Sequence, residues 1–413
     1  MDSTRPPLSG ASTARAELPL RVQVPLVHAV IESVAAAASC PVLHLKGPVL
    51  AHQLEVDRPP STDVDVLVAP SRRPDLVAAL GRHGWRVAAP VGADRAGEHH
   101  AVVLVHPRWT CAVDLHDRFP GVEMPAEEAF GHLWSRRSSV RVAGVEVHAP
   151  SRPDHALLLL LHAARGQGRR SAERDIALIR AGLGAEETAA LAAATEALRA
   201  NAAMGAVVPG LVRGGSGGAA VHWWLRSRRS DGASLWAGRF LAARGLRARW
   251  AVARAAIFPS TSIPSRWRRW ARGARELPST LRAVRTARSE LDRLATTQQY
   301  GVVPAAPTVR PAAVHTSPRE LVAHVEDDGV LWAAALPTGP ACRLDGTGRL
   351  VWEAARGGAA AEEVVETVAQ TVGLPAGEIG PDVLAFLDLL AELGLFQQVR
   401  GPGVRNSRPA SPS

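Results

Sequence analysis

The segment Ser61-Thr62-Asp63-Val64-Asp65-Val66-Leu67-Val68 constrains the fold more than any other stretch of this chain. Side chains alternate faces along a strand, so Val64, Val66 and Val68 enter a core while Asp63 and Asp65 share the opposite face. Two carboxylates side by side repel each other. A divalent cation relieves that repulsion, and a set of hard oxygen ligands suits Mg²⁺, which keeps waters and takes further ligands from substrate phosphates. Standing alone, an Asp-x-Asp pair is more often the polar outer face of an edge strand. Its neighbours therefore decide.

Thr110 to His116 is a second alternating stretch, with Asp114 and His116 on one face and Cys111, Val113 and Leu115 on the other. A third carboxylate thus becomes available on another strand. Upstream, Leu43-His44-Leu45-Lys46-Gly47 sets a lysine at a strand-to-helix turn, where backbone N–H groups and a helix N-terminus attract phosphate. Lys46 is the only lysine in the chain, every other basic position among the 48 being arginine. A surface cation would have been replaced as readily as the rest, so its retention points to a compact, specific role.

The pattern around these residues reads β-α-β-α-β-β-β. Strands are expected at Pro41 to Leu45, Val64 to Val68, Trp85 to Ala89, Ala101 to His106 and Cys111 to His116, with helices at Val49 to Val56 and Arg73 to His83. After Pro150 the texture becomes helical: Asp154 to Arg165, Ala172 to Ala181 and Ala185 to Ala203. Between Arg226 and Arg288 lie sixteen arginines against two acidic residues, interleaved with Trp236, Trp250, Trp267 and Trp270. Such a stretch can bind RNA, but buried aromatic faces on amphipathic helices are favoured over that reading. From Pro318 a second compact unit opens with a hairpin, Leu321 to Glu326 and Val330 to Leu336, about the turn Asp327-Asp328-Gly329. Helices from Gly348, Ala360 and Asp382 follow it.

With 413 residues the chain is too long for one ordinary core, and the expected layout is a tail over 1–20, a mixed-sheet α/β (α+β) domain over 21–150, a helical Arg-rich extension over 151–295, a linker over 296–317, a small domain over 318–398 and a tail over 399–413. An apolar share of 46% and a charged share of 21% exclude a wholly disordered chain. The net charge of +9 reflects arginine used in place of lysine, as high-GC coding favours, and by itself argues little for a nucleic-acid partner. Three cysteines, far apart and without a CxxC pair, exclude a zinc ribbon or disulfide scaffold and fit a reducing cytoplasm. Apolar runs such as Ala156 to Leu161 are far short of a membrane span, and no membrane partner is expected.

Taken in order, Leu45-Lys46-Gly47, Arg58, Asp63-Val64-Asp65, His99-His100, Val113-Asp114-Leu115-His116, Leu161-His162-Ala163-Ala164 and Asp175-Ile176 resemble the uncharacterised nucleotidyltransferase family of the minimal-nucleotidyltransferase, or polymerase-beta-like, superfamily. The resemblance covers residues 22 to 180, and the basic stretch around Ile257-Phe258-Pro259-Ser260 extends it. It implies a Mg²⁺ site made by Asp63, Asp65 and Asp114 and transfer of a nucleoside monophosphate from an NTP, expected to be ATP, to a hydroxyl acceptor. Lys46, Gly47 and Arg58 become the expected phosphate contacts; Lys46-Gly47 replaces the superfamily's Gly-Ser turn. His116 is placed either beside the acceptor or in a structural role, and His99, His100 and His162 in packing or hydrogen bonding.

The last unit resembles the PqqD-like fold, a small winged helix that recognises leader peptides of ribosomally made, modified peptides. Ala323-His324-Val325, Arg343-Leu344-Asp345, Gly348, Trp352 and Glu392-Leu393-Gly394-Leu395-Phe396 carry that likeness. It implies a precursor or leader peptide added as a strand along the edge formed by Val330 to Leu336 and Ala341 to Arg343 and closed by the last helix. The leading reading is thus a cytoplasmic nucleotidyltransferase with a peptide-recruiting module, serving ribosomal peptide natural-product biosynthesis. Two alternatives stand beside it: a non-catalytic peptide-binding chaperone or scaffold, and a transferase acting on RNA or a small hydroxylated molecule.

Overall fold

A computed structural model describes residues 11–12, 18–54, 61–88, 101–165, 170–208, 215, 217–228, 232–257, 263–297 and 322–396. Arg58, His99, His100, most of the 296–317 linker and the tail beyond 398 lie outside the described residues. The elements run in order as β1 (Ala11–Ser12), α1 (Leu20–Ala37), β2 (Val42–Leu45), α2 (Gly47–Leu54), β3 (Asp63–Val68), α3 (Arg73–Arg82), β4 (Arg86–Val87), β5 (Ala101–His106) and β6 (Trp109–His116). Next come α4 (Ala126–Ser135), β7 (Ser138–Val142), β8 (Val145–Ala149), α5 (Arg152–Arg165), α6 (Arg170–Gly182), α7 (Ala185–Ala197), α8 (Asn201–Val207), α9 (Gly218–Arg228), α10 (Gly232–Ala242), α11 (Leu246–Ile257) and α12 (Ile263–Thr297). The chain ends with β9 (Val322–Asp327), β10 (Val330–Ala335), β11 (Ala341–Leu344), α13 (Gly346–Ala355), α14 (Ala361–Val372) and α15 (Ala376–Glu392). Two compact units result: residues 34–142 with 146–317, and residues 1–33 and 143–145 with 318–413.

In the first of these, five strands form a mixed sheet in the order β2-β3-β6-β5-β4. β3 and β6 pair in parallel and the other neighbours antiparallel. The expected β-α-β-α-β-β-β order is the one observed from β2 to β6. Alternation sets the faces: Val64, Val66, Val113 and Leu115 are wholly buried, each worth roughly 1.5–3 kcal/mol against exposure. Helix α5 is buried along Ala156 to Leu161 and forms the spine of the helical core, with Leu191, Leu198, Met204 and Leu225 against it.

The run from Ala185 to Ala203 is two helices and not one. Alanine suits a helix at every position there, so the sequence carries no stop signal; the break comes at Arg199, which takes φ +53°, and the Leu198 carbonyl accepts the N–H of Met124. Trp250 is 67% exposed on α11, while the side chains of Trp267 and Trp270, on which the packing expectation rests, lie outside the described residues. Helix α1, 18 residues with mean hydropathy 1.3, has the length and apolarity of a membrane span, yet 61% of it is buried inside the protein, as in a core helix.

The other unit carries a sheet ordered β1-β11-β10-β9. Asp328 and Gly329 take φ +49° and +75°, the two left-handed positions of a type I′ hairpin turn, and Val330 pairs with Asp327. Strand β10 is therefore central, paired on both sides. Val330 to Leu336 does not offer the edge expected of it; the outer strands of this sheet are β9 and β1, and β11, with Ala341 to Arg343, lies inside it. There Ala11 pairs with Leu344 and Ser12 with Arg343. Helices α13 to α15 pack through Val351, Val364, Val368, Ile379 and Val383, while Trp352 and Leu390 close onto the sheet at Leu331, Ala333 and Leu344.

Candidate functional site

The parallel register sets Asp65 opposite Asp114 and Asp63 opposite Ala112. Paired residues of parallel strands face the same way, so Asp65 and Asp114 stand side by side on the face turned away from Val64 and Val113. His116, two residues beyond Asp114, reaches back to the same carboxylate: its Nε2 lies 2.9 Å from Asp65 Oδ1. An ionised carboxylate only accepts, so Nε2 carries the proton. Metal-ligand atoms of Asp65, Asp114 and His116 all lie within 4.8 Å of one another.

Lys46 completes this arrangement from β2. The chain leaves that strand through two successive left-handed residues, Lys46 at φ +52° and Gly47 at φ +47°. The Lys46 carbonyl accepts the N–H of Leu50 and so opens α2. Its ammonium lies 2.7 Å from Asp65 Oδ1, the oxygen that His116 also contacts.

Electrostatics divide the carboxylates. Burial alone would raise the Asp65 carboxyl, which is 2% exposed, but the His116 hydrogen bond and the Lys46 charge hold it below the ordinary carboxylate range. Asp114 moves the other way: burial raises it first, the negative charge of Asp65 next, and Asp63 adds to the effect. The group thus concentrates negative charge that a bound cation would relieve, and its carboxylate oxygens fit a divalent ion, which His116 Nε2 would join as a ligand by giving up the proton it donates to Asp65. His162 on α5 feels Lys46, Asp65 and His116, and burial pushes its imidazole down to about 3. It is neutral at physiological pH.

Of the residues expected from sequence, Lys46, Asp65, Asp114 and His116 come together. Asp63 is within electrostatic reach of Asp114 but outside the tight group, its Oδ1 accepting the Ser61 hydroxyl at 2.9 Å. Two residues escaped the sequence reading. His155, 1% exposed on α5, accepts the backbone N–H of Lys46 at Nε2, 2.9 Å away. Gln53 on α2 lies 2.6 Å from the other ring nitrogen. Neither belongs to a local motif; the one available signal was a histidine at the head of a wholly apolar helical run.

Comparison with known proteins finds two family matches in the chain. Residues 25–179 match the family model described as uncharacterised nucleotidyltransferase, and residues 334–395 match that of coenzyme PQQ synthesis protein D. No curated protein matches the chain. Similar solved structures include the antibiotic-resistance factor ANT(2'')-Ia in solution, at 18% identity and TM-score 0.31 over 43% of this chain and 93% of that one. The crystal structure of ANT(2'')-Ia in complex with adenylyl-2''-tobramycin gives 19% identity and TM-score 0.31, over 43% of this chain and 97% of that one. An antigenic nucleotidyltransferase-like protein from Paracoccidioides brasiliensis gives 16% identity and TM-score 0.28, over 42% and 88%. The chain thus carries a nucleotidyltransferase domain over residues 25–179, similar to that family, and a PqqD-type domain over residues 334–395.

Proposed function

We propose that the protein moves a nucleoside monophosphate from an NTP, with ATP the expected donor, to a hydroxyl on a peptide precursor in the cytoplasm, as a step of ribosomal peptide natural-product biosynthesis. The observation that carries the reading is the Asp65–Asp114 pair, held in register on neighbouring strands with the chain's only lysine against it. Asp63, Asp65 and Asp114 would hold Mg²⁺, and His116 lies near enough to join them. Bound there, the cation would neutralise charge on the phosphate oxygens.

The chain's own groups supply the rest. Attack of the acceptor hydroxyl oxygen on the α-phosphorus forms one P–O bond and breaks the bond to the leaving pyrophosphate. Asp114, whose carboxyl is raised by burial and by Asp65, is the group best suited to take the hydroxyl proton. Lys46 offers an ammonium to the triphosphate, and Arg58 is assigned a second phosphate contact. His162, neutral and half-buried beside them, adds no competing positive charge.

Recruitment of the peptide is assigned to β11, Ala341–Leu344, with the peptide taking the place of the short strand Ala11–Ser12, whose pairing there supports the reading. A second reading, a catalytically silent peptide scaffold, is favoured by the Lys46 ammonium already neutralising Asp65. Pyrophosphate release separates the two. With ATP, Mg²⁺ and a candidate precursor peptide, the full chain should release pyrophosphate in step with peptide consumption, and EDTA should stop it. Release with RNA or an aminoglycoside only would move the acceptor to the third reading; no release with any of them would leave the scaffold.

A further inference from the structure

We infer that His155 is a positioning residue that presents Lys46 to the phosphate site, with Gln53 fixing its tautomer. The inference rests on Lys46 being a phosphate contact, but the positioning itself can be tested without nucleotide. The Lys46 N–H donates to His155 Nε2 at 2.9 Å, so that nitrogen is unprotonated. The hydrogen of the neutral ring then sits on Nδ1 and donates to Gln53 Oε1 at 2.6 Å. The Gln53 amide is oriented in turn, since its Nε2 donates to the Pro150 carbonyl at 2.6 Å and to Ser138 Oγ at 2.9 Å. Every donor and acceptor along this chain has one consistent direction.

The backbone explains why such a support exists. Lys46 holds φ +52°, a conformation that costs a residue with a Cβ about 1–2 kcal/mol and that glycine adopts freely. Keeping lysine there places an ammonium 2.7 Å from Asp65, and a buried hydrogen bond from its own N–H helps hold the turn. His155 lies 109 residues away in sequence, on the helix that forms the spine of the core. It therefore ties the strained turn to a helix buried in the core and acts on the site through Lys46.

Lys46 being the only lysine makes the test direct. Lysine-selective ¹⁵N labelling of the full chain yields one backbone amide signal and one side-chain ammonium signal. In the native protein the amide should be shifted downfield and, when histidine is labelled with ¹⁵N as well, correlate with His155 Nε2 across the hydrogen bond. In His155→Ala the amide should move upfield, the ammonium signal should broaden as its hold on Asp65 loosens, and KM for ATP should rise about tenfold or more with a smaller change in kcat. His155→Gln, whose side-chain oxygen can accept the same N–H, should restore both signals and KM. In a Lys46→Met background His155→Ala should add nothing to KM. Lysine signals unmoved by His155→Ala, or an equal KM rise in the Lys46→Met background, would overturn the inference. If the native chain transfers no nucleotide, the lysine signals still decide the positioning, and the failure belongs to the proposed reaction.

Discussion

Asp65 is a buried carboxylate that stays ionised because Lys46 and His116 meet at its Oδ1. Asp65→Asn keeps the shape and removes the charge, so initial rates of nucleotide transfer should fall by about 10²–10³, the usual cost of one electrostatic group at a transition state. Rates within twofold of native would remove Asp65 from the site. His162 gives a prediction about stability. Its imidazole is pushed down to about 3 in the folded chain, against about 6.5 when unfolded. Between those values the unfolded state binds the proton and the folded state does not. Stability therefore falls as pH drops through that window, by up to about 1.4 kcal/mol per unit, and is unaffected by this group above about 6.5. His162→Gln should flatten that part of the curve in denaturant titrations between pH 4 and 7; an unchanged slope would mean that the ring is protonated in the fold.

Among the elements, the hairpin of the PqqD-type unit depends on one glycine. Gly329 holds φ +75°, with nothing within 4 Å of where a Cβ would stand, so Gly329→Ala meets a backbone penalty of about 1–2 kcal/mol and no clash. Amides of β9 and β10 should exchange with solvent roughly tenfold faster, read by hydrogen exchange, while those of β3 and β6 stay as they were. The strands β2, β3, β5 and β6 and the shared face of Asp63 and Asp65 were legible because alternation is written into each segment. Their partners were not: period 2 specifies a face and leaves register open, so Asp114 opposite Asp65, with Asp63 displaced one pair along, emerges only from the parallel β3–β6 ladder. Lys46 stood out as a compositional exception, whereas His155 acts through a ring nitrogen and a backbone amide far apart in sequence, a contact no local pattern encodes. The hairpin turn was readable from Asp328-Gly329, but the central place of β10 required knowing that β11 returns to it.

For the whole molecule, the fusion of a transferase domain to a PqqD-type domain is the fact that organises the account. One unit carries the acidic group and the other β11, so the proposed function divides chemistry and recognition between separate parts of the chain. Full-length protein should retain peptide binding in Asp65→Asn, because that substitution lies in the other unit; loss of both together would argue against this division of labour. The central claim is that the α-phosphorus is attacked, and the choice of labelled phosphate tests it most directly. Native protein is incubated with Mg²⁺, a candidate precursor peptide and ATP labelled at either the α- or the γ-phosphate. The account predicts α-label in the peptide, γ-label in pyrophosphate, and neither transfer in Asp65→Asn. Label from the γ-phosphate in the peptide, or no α-label in any acceptor, would contradict it.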